Sequence, residues 1–276
     1  MNSRRMFSDL GEAMRDISSV TKVVSSVSTG AATRVVRLAT TIALLLGSLL
    51  ATAAERPDFS GAWTTYRGNG GAGAFSAPQT QLKLKPVAQQ ARQDFLSVTE
   101  GTNHGAGNSC VGGGMPSSML GSGGYPMEIL QLPNQLFVIY EAHNEIRRIY
   151  LSEEAGNPED FFPERNGYST AHWEGDRLIV ETTNLKTQVD SRYPHSNQAT
   201  IHEEYYFDSP LEDGTPVLAA DMVMTDPLWL EEPFITTKRW QAMDDYHVLT
   251  YECTEPLWLD EMMELYEEAG LEMVQE

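Results

Sequence analysis

The sequence predicts an all-β protein, built as a closed antiparallel up-and-down barrel. Three observations carry that expectation. From Pro126 onward the chain holds nine runs of six to nine residues rich in Ile, Val, Tyr, Phe and Thr. Several are joined by turns of two or three residues, at Pro133-Asn134, His143-Asn144, Glu174-Gly175-Asp176 and Asp244-Asp245, which is hairpin spacing. No segment of helical period separates them, so parallel pairing is not expected. A two-sheet β-sandwich is the alternative, because short alternating strands serve either architecture.

The elements follow in chain order. Residues 35–54 read VVRLATTIALLLGSLLATAA. Arg34 and Arg37 flank an apolar run from Leu38 to Leu50, and small residues at 51–54 offer a cleavage site. This is the pattern of a secretory signal with a long basic region before it. The run of about 13 residues is short of the roughly 20 needed to cross a bilayer; an uncleaved anchor is the alternative. Residues 1–54 are therefore expected to be a leader, with no stable membrane span after cleavage. The barrel domain is expected over 55–256. It opens with Asp58-Phe59-Ser60-Gly61, a turn leading into a strand whose Trp63 plugs one end. Lys85 to Glu100 reads as a helix, with Pro86 at its first turn. Nine glycines between 101 and 124 mark a long loop, and long loops in compact domains tend to carry function. The nine strands then run from Met127 to Cys253. Residues 257–276 read as an acidic helix, with Leu259, Met262, Met263, Tyr266 and Leu271 on one face.

Charge narrows the partners. The formal net charge is −20, and setting aside residues 1–54 leaves 13 basic residues against 36 acidic ones. Nucleic acid and anionic membrane surfaces are repelled by such a chain. The two cysteines, Cys110 and Cys253, read as a disulfide in an oxidising compartment, periplasmic or secreted. A nucleophilic Cys110 inside the glycine-rich CVGGGMP is the alternative. No Cys/His cluster has metal spacing, no glycine-rich loop sits in a βαβ unit, and no cofactor is expected. The oligomeric state is open.

Period two selects the inward residues. In the strand ending at Phe207, Ala199, Ile201, Glu203, Tyr205 and Phe207 share the apolar face, whereas His202 projects outward. An inward Glu203 must be paired, hydrogen-bonded or protonated. Arg147 and Arg148 face opposite ways on their own strand, so one of them points inward and is the natural partner. That pair is either structural or the polar anchor for a ligand in a greasy cavity. Tyr140, Tyr205 and Met115 are the candidate lining, with the loop of Gly112 to Met115 as a lid. His195 lies in a loop before a strand, where a histidine can move protons near neutral pH. Glu141 and Glu203 are candidate second acids or bases beside it.

The ordered segments PDFSGAW, GMP, YPMEILQ, YEAHNEIRRIYL, HWEGDRLIVETTN, PHS, IHEEYYF, DP and YEC resemble a large group of secreted bacterial proteins, mostly uncharacterised. The likeness runs over about residues 57–254. It implies a lipocalin-like barrel and brings no established activity. It carries over to Glu141, Arg147, Arg148, Trp173, Glu174, Gly175, Asp176, His195, Ser196 and Glu203. His172 and Glu204 depart from the group's pattern, and the tail after Cys253 lies outside it.

Three functions are consistent with this sequence. The first is a barrel that binds a small, largely apolar or aromatic molecule. The second is a cofactor-independent lyase, hydratase or isomerase using His195 and an inward glutamate. The third is an interaction protein working through its acidic tail.

Overall fold

A computed structural model of the chain describes residues 56–66, 77–78, 80–102, 107–121, 124–151, 156–190 and 192–254, with 263–264 and 267–268. The leader over 1–54 lies outside the described residues, as does all but four residues of the tail over 257–276.

Nine strands close into a barrel. They are β1 (Gly61–Thr65), β3 (Met127–Gln131), β4 (Gln135–Tyr140), β5 (Glu145–Leu151), β6 (Tyr168–Glu174), β7 (Arg177–Thr183), β8 (Thr200–Asp208), β9 (Val217–Thr225) and β10 (Phe234–Met243). Each pairs with the next, and β1 closes the circle by pairing with both β3 and β10. A two-residue strand, β2 (Ala77–Pro78), adds to β10 where β1 does not reach. The barrel is the expected class, and closure leaves no long unpaired edge.

Two strand expectations are corrected. The sheet is mixed, because β5 and β6 run parallel. Residues 152–167 separate them, and a parallel pair needs a crossover of about a dozen residues or more. That spacing was readable, but without a helix in it the crossover resembled an ordinary loop. The second correction is the run 247–253, which forms no strand. It leaves β10 and lies along the barrel's rim, its N–H groups taken by side chains. Val248 donates to Glu128 at 3.4 Å, Leu249 to Glu141 at 2.9 Å and Tyr251 to Asn144 at 2.9 Å. The place beside β10 belongs instead to β1.

The two ends differ. At the base, the β3–β4 and β6–β7 connections are tight turns, and Phe59 packs against Trp173 and Phe207 at 5.5 and 5.1 Å. Trp63 is buried there and its indole N–H donates to the Phe59 carbonyl at 3.0 Å, so the expected plug is an aromatic group rather than one ring. Phe207 sits where the inward face runs out and is 42 % exposed, against the fully inward placement expected. At the rim, where β3, β5, β6, β8 and β10 begin, the long segments gather. Helix α1 (Pro86–Thr99) starts there, with the Lys85 N–H on the Trp229 carbonyl. The glycine-rich loop turns inward and ends in a short helix, α2 (Ser117–Leu120).

Candidate functional site

The interior is organised round one charge pair. Period two holds on β8: Ile201, Glu203 and Tyr205 are buried, and His202 and Glu204 are not. On β5 the inward arginine is Arg147, 1 % exposed beside a wholly buried Glu203. Its guanidinium grips Glu203 with both terminal nitrogens, Nη1 to Oε1 at 2.9 Å and Nη2 to Oε2. Nε donates to Ser169 Oγ at 3.1 Å, Nη2 also to Thr182 Oγ1 at 2.8 Å and Nη1 also to the Tyr205 hydroxyl at 3.4 Å. All five N–H directions of the fork are thus used. The Tyr205 hydroxyl donates to Glu203 Oε1 at 2.8 Å. Burial opposes the Arg147 charge, but the Glu203 carboxylate outweighs it and holds its pKa above the usual arginine range. Burial keeps the Tyr140 and Tyr205 phenols protonated, with pKa values raised. One pair and its neighbours therefore tie β5, β6, β7 and β8 together, and it is complete without a ligand.

The remaining candidates separate. Arg148 points outward, with its guanidinium 5.1 Å from the Phe137 ring and 5.8 Å from the Tyr150 ring. It is not the partner of Glu203. Tyr140 is inward, its hydroxyl 4.0 Å from Met115 Sδ. Met115 is fully buried and belongs to the core, as do Met119 and Leu120. The segment expected to be a lid is a plug. Glu141 is at the rim, where its Oε2 accepts from the Tyr246 hydroxyl at 2.8 Å and from the Leu249 N–H. It holds the 246–253 arm rather than facing the interior.

Three residues, Cys253, Arg165 and Glu145, fasten the plug. Cys110 is joined to Cys253, with 5.6 Å between Cα atoms, as expected for this pair. Arg165 Nε donates to the Gly112 carbonyl at 2.8 Å, and the Met115 N–H donates to the Arg165 carbonyl at 2.9 Å. Arg165 is itself paired with Asp190 at 2.7 Å. Glu145 accepts from the Gly114 N–H at 3.0 Å and from Ser118 Oγ. A Cβ on Gly112 would overlap the Glu145 carboxyl group, so a side chain there would displace the carboxylate that holds the loop.

His195 is fully buried and forms a two-way backbone bridge with Gln188. Its Nδ1 lies 2.9 Å from the Tyr193 carbonyl, which makes Nδ1 the protonated nitrogen and leaves Nε2 a lone pair. Nε2 is buried with no partner. Burial pushes the His195 pKa below 6.5, chiefly by penalising the charged form. A folded-state pKa below the unfolded value gives stability that is present above pH 6.5 and is lost as pH falls through the folded value. We expect Tm to fall on acidification from pH 7 to pH 5, and His195→Gln to flatten that fall; an unchanged slope in the variant would remove His195 as the cause. His202 works the other way. Burial opposes its charge but the Glu181 contact at 2.5 Å outweighs it and raises its pKa. Its side chain is 39 % exposed, so solvent screens that effect.

Sequence reasoning missed two features. Lys238 is 1 % exposed inside the barrel, and its ammonium donates to Thr65 Oγ1 at 3.1 Å. Period two on β10 puts Lys238 on one face with Phe234, Thr236 and Trp240 and would have found it. Asp226 accepts from the Ser196 N–H at 2.6 Å, Ser196 Oγ at 2.8 Å, and the N–H groups of Leu228 and Trp229. It holds two rim loops together, and nothing local signals that. Among the described residues no cluster of His, Cys, Asp or Glu could hold a metal ion.

One cleft touches both the plug and a residue of the expected lining. It lies at the rim, about 230 Å³ in volume, between Gly113, Ser117, Ser118 and Gly121 on the plug and Tyr125, Tyr140, Ala142, His143 and Glu145 across from it. The Tyr251 ring of the arm packs near its edge, tilted against His143 at 4.9 Å and edge-on to Tyr125 at 5.5 Å. No family model matches the chain, and no curated protein matches it either.

Proposed function

We propose that this protein is a small-molecule-binding barrel, working in an oxidising compartment outside the cytoplasm, that takes a small aromatic ligand at its rim. The observation that carries the reading is the rim cleft. Its walls are aromatic at Tyr125, Tyr140 and His143, and its few polar groups are Ser118 and Glu145, bonded to each other but with carboxylate lone pairs to spare, which is the usual composition of a small-molecule site. Its volume of about 230 Å³ suits a one-ring molecule, since a cavity of roughly 150 Å³ admits benzene. The disulfide supports the compartment. The interior is a poorer place for a ligand, because the Arg147 and Glu203 hydrogen-bonding groups are already taken.

The test is a panel of single-ring aromatics titrated into protein beginning at Glu55, followed by tyrosine and tryptophan fluorescence. Ala142 is 7 % exposed and lines the cleft, so Ala142→Leu fills it. Binding to the parent protein and a loss of about tenfold or more in the variant, a change on the order of 1.4 kcal/mol, with Tm retained, is the expected result. A ligand that binds Ala142→Leu as well as the parent rules the cleft out.

A further inference from the structure

We propose that the outer face of β4, β5 and β6 carries a second site, for small planar aromatic carboxylates. The face holds a continuous stack. The Arg148 guanidinium lies over the rings of Phe137 and Tyr150, 5.1 and 5.8 Å from their centroids. Tyr150 stacks on Tyr168 at 5.2 Å and 22°, and Tyr168 stacks on Phe161 at 4.7 Å and 25°. Beyond it, Phe161 is 46 % exposed and Phe162 is 91 % exposed. Adjacent exposed rings rimmed by polar groups are a mark of binding surfaces in soluble proteins. A cleft of about 430 Å³ opens here, between Ile146 and Arg148 on one side and Phe161, Phe162, Glu164 and Asn166 on the other. It shares no residue with the rim cleft.

One charged group defines what fits. Arg147, Arg165, Arg177 and Arg239 each meet a carboxylate. Arg148, in the same acid-rich chain, contacts rings and the Tyr150 hydroxyl at 3.2 Å. A guanidinium resting on rings rather than on a carboxylate can take a two-pronged grip on a ligand carboxylate. Across the cleft Glu164 repels an anion, so the acid end is directed to Arg148. The ring lies against Phe161 and Phe162.

The experiment titrates 15N-labelled protein with 4-hydroxybenzoate, its methyl ester and cyclohexanecarboxylate. The acid should give saturable shifts at 146–150 and 161–168, and bind more tightly than either analogue. Arg148→Gln should weaken the acid by roughly tenfold, the loss expected for one charge-assisted hydrogen bond, and leave the ester unchanged. Phe161→Ala should weaken acid and ester alike. Ala142→Leu should change neither, which separates this site from the rim cleft. Unsaturable binding, equal affinity in Arg148→Gln, or shifts confined to 113–121 and 140–145 would overturn the proposal. So would binding that appears only after residues 255–276 are deleted, which would assign the face to that segment.

Discussion

Replacing Glu203 with alanine is expected to lower stability by about 3–5 kcal/mol, the cost of leaving one member of a buried pair without its partner. The Arg147 guanidinium is 1 % exposed and cannot shed its proton, because arginine stays charged at any pH a protein survives. It would lose two of its acceptors in the barrel interior. For a domain of this size a loss of that order lowers Tm by about 10 °C. Glu203→Gln keeps one acceptor oxygen and should cost less. The double variant Arg147→Met, Glu203→Leu should recover most of the loss, since replacing both charges by apolar groups of similar volume is often neutral. A double-mutant cycle read by chemical denaturation gives the coupling directly. If Glu203→Ala unfolds at the parent's denaturant midpoint, the pair does not hold the barrel's strands together.

The second large effect is expected from the disulfide. Cys110 and Cys253 close a loop of 143 residues, and in the chain-entropy view a loop of that length contributes about 5 kcal/mol by restricting the unfolded state. The variant with both cysteines changed to serine should therefore be destabilised by that order. It should also loosen the rim. Cys110 lies just before the plug, and Cys253 ends the arm held by Glu128, Glu141 and Asn144. Faster hydrogen exchange at Gly112–Met115 and at 246–253, ahead of the barrel strands, is the expected pattern. The parent protein treated with reductant should match the serine variant. Equal melting of the oxidised and reduced forms would show that the bridge adds nothing to stability.

Much of the fold was legible. Eight of the nine runs fell on strands because β-branched and aromatic residues in alternation mark a pleated, half-buried surface. The helix at Lys85 was marked by Pro86, whose fixed φ suits a first turn. The disulfide followed from an isolated pair of cysteines, and the inward carboxylate at Glu203 from counting by twos. The last run failed for a definite reason. Residues 247–253 have strand composition, but their backbone is bonded by Glu128, Glu141 and Asn144, which lie more than a hundred residues earlier and carry no local mark. The site was less legible than the fold. Glycines 112 to 114 suggested a loop over an opening, whereas Met115, Met119 and Leu120 beside them are core residues. The three apolar residues were in plain view, yet whether a loop covers an opening or fills it depends on the volume left inside the strands.

The sequence alone determined that this chain is a β-barrel, that its cysteines can join, and that a negative charge points inward at Glu203. These are consequences of local rules: a pleat alternates faces, and a buried charge needs a partner. Only the tertiary structure decided that β5 runs parallel to β6, that Arg147 rather than Arg148 is that partner, and that the glycine-rich segment fills the barrel and leaves a cleft at the rim. Those outcomes depend on which strands become neighbours when the barrel closes. Closure brings together residues such as Arg147 and Glu203, 56 positions apart, and no pattern within either strand specifies the other.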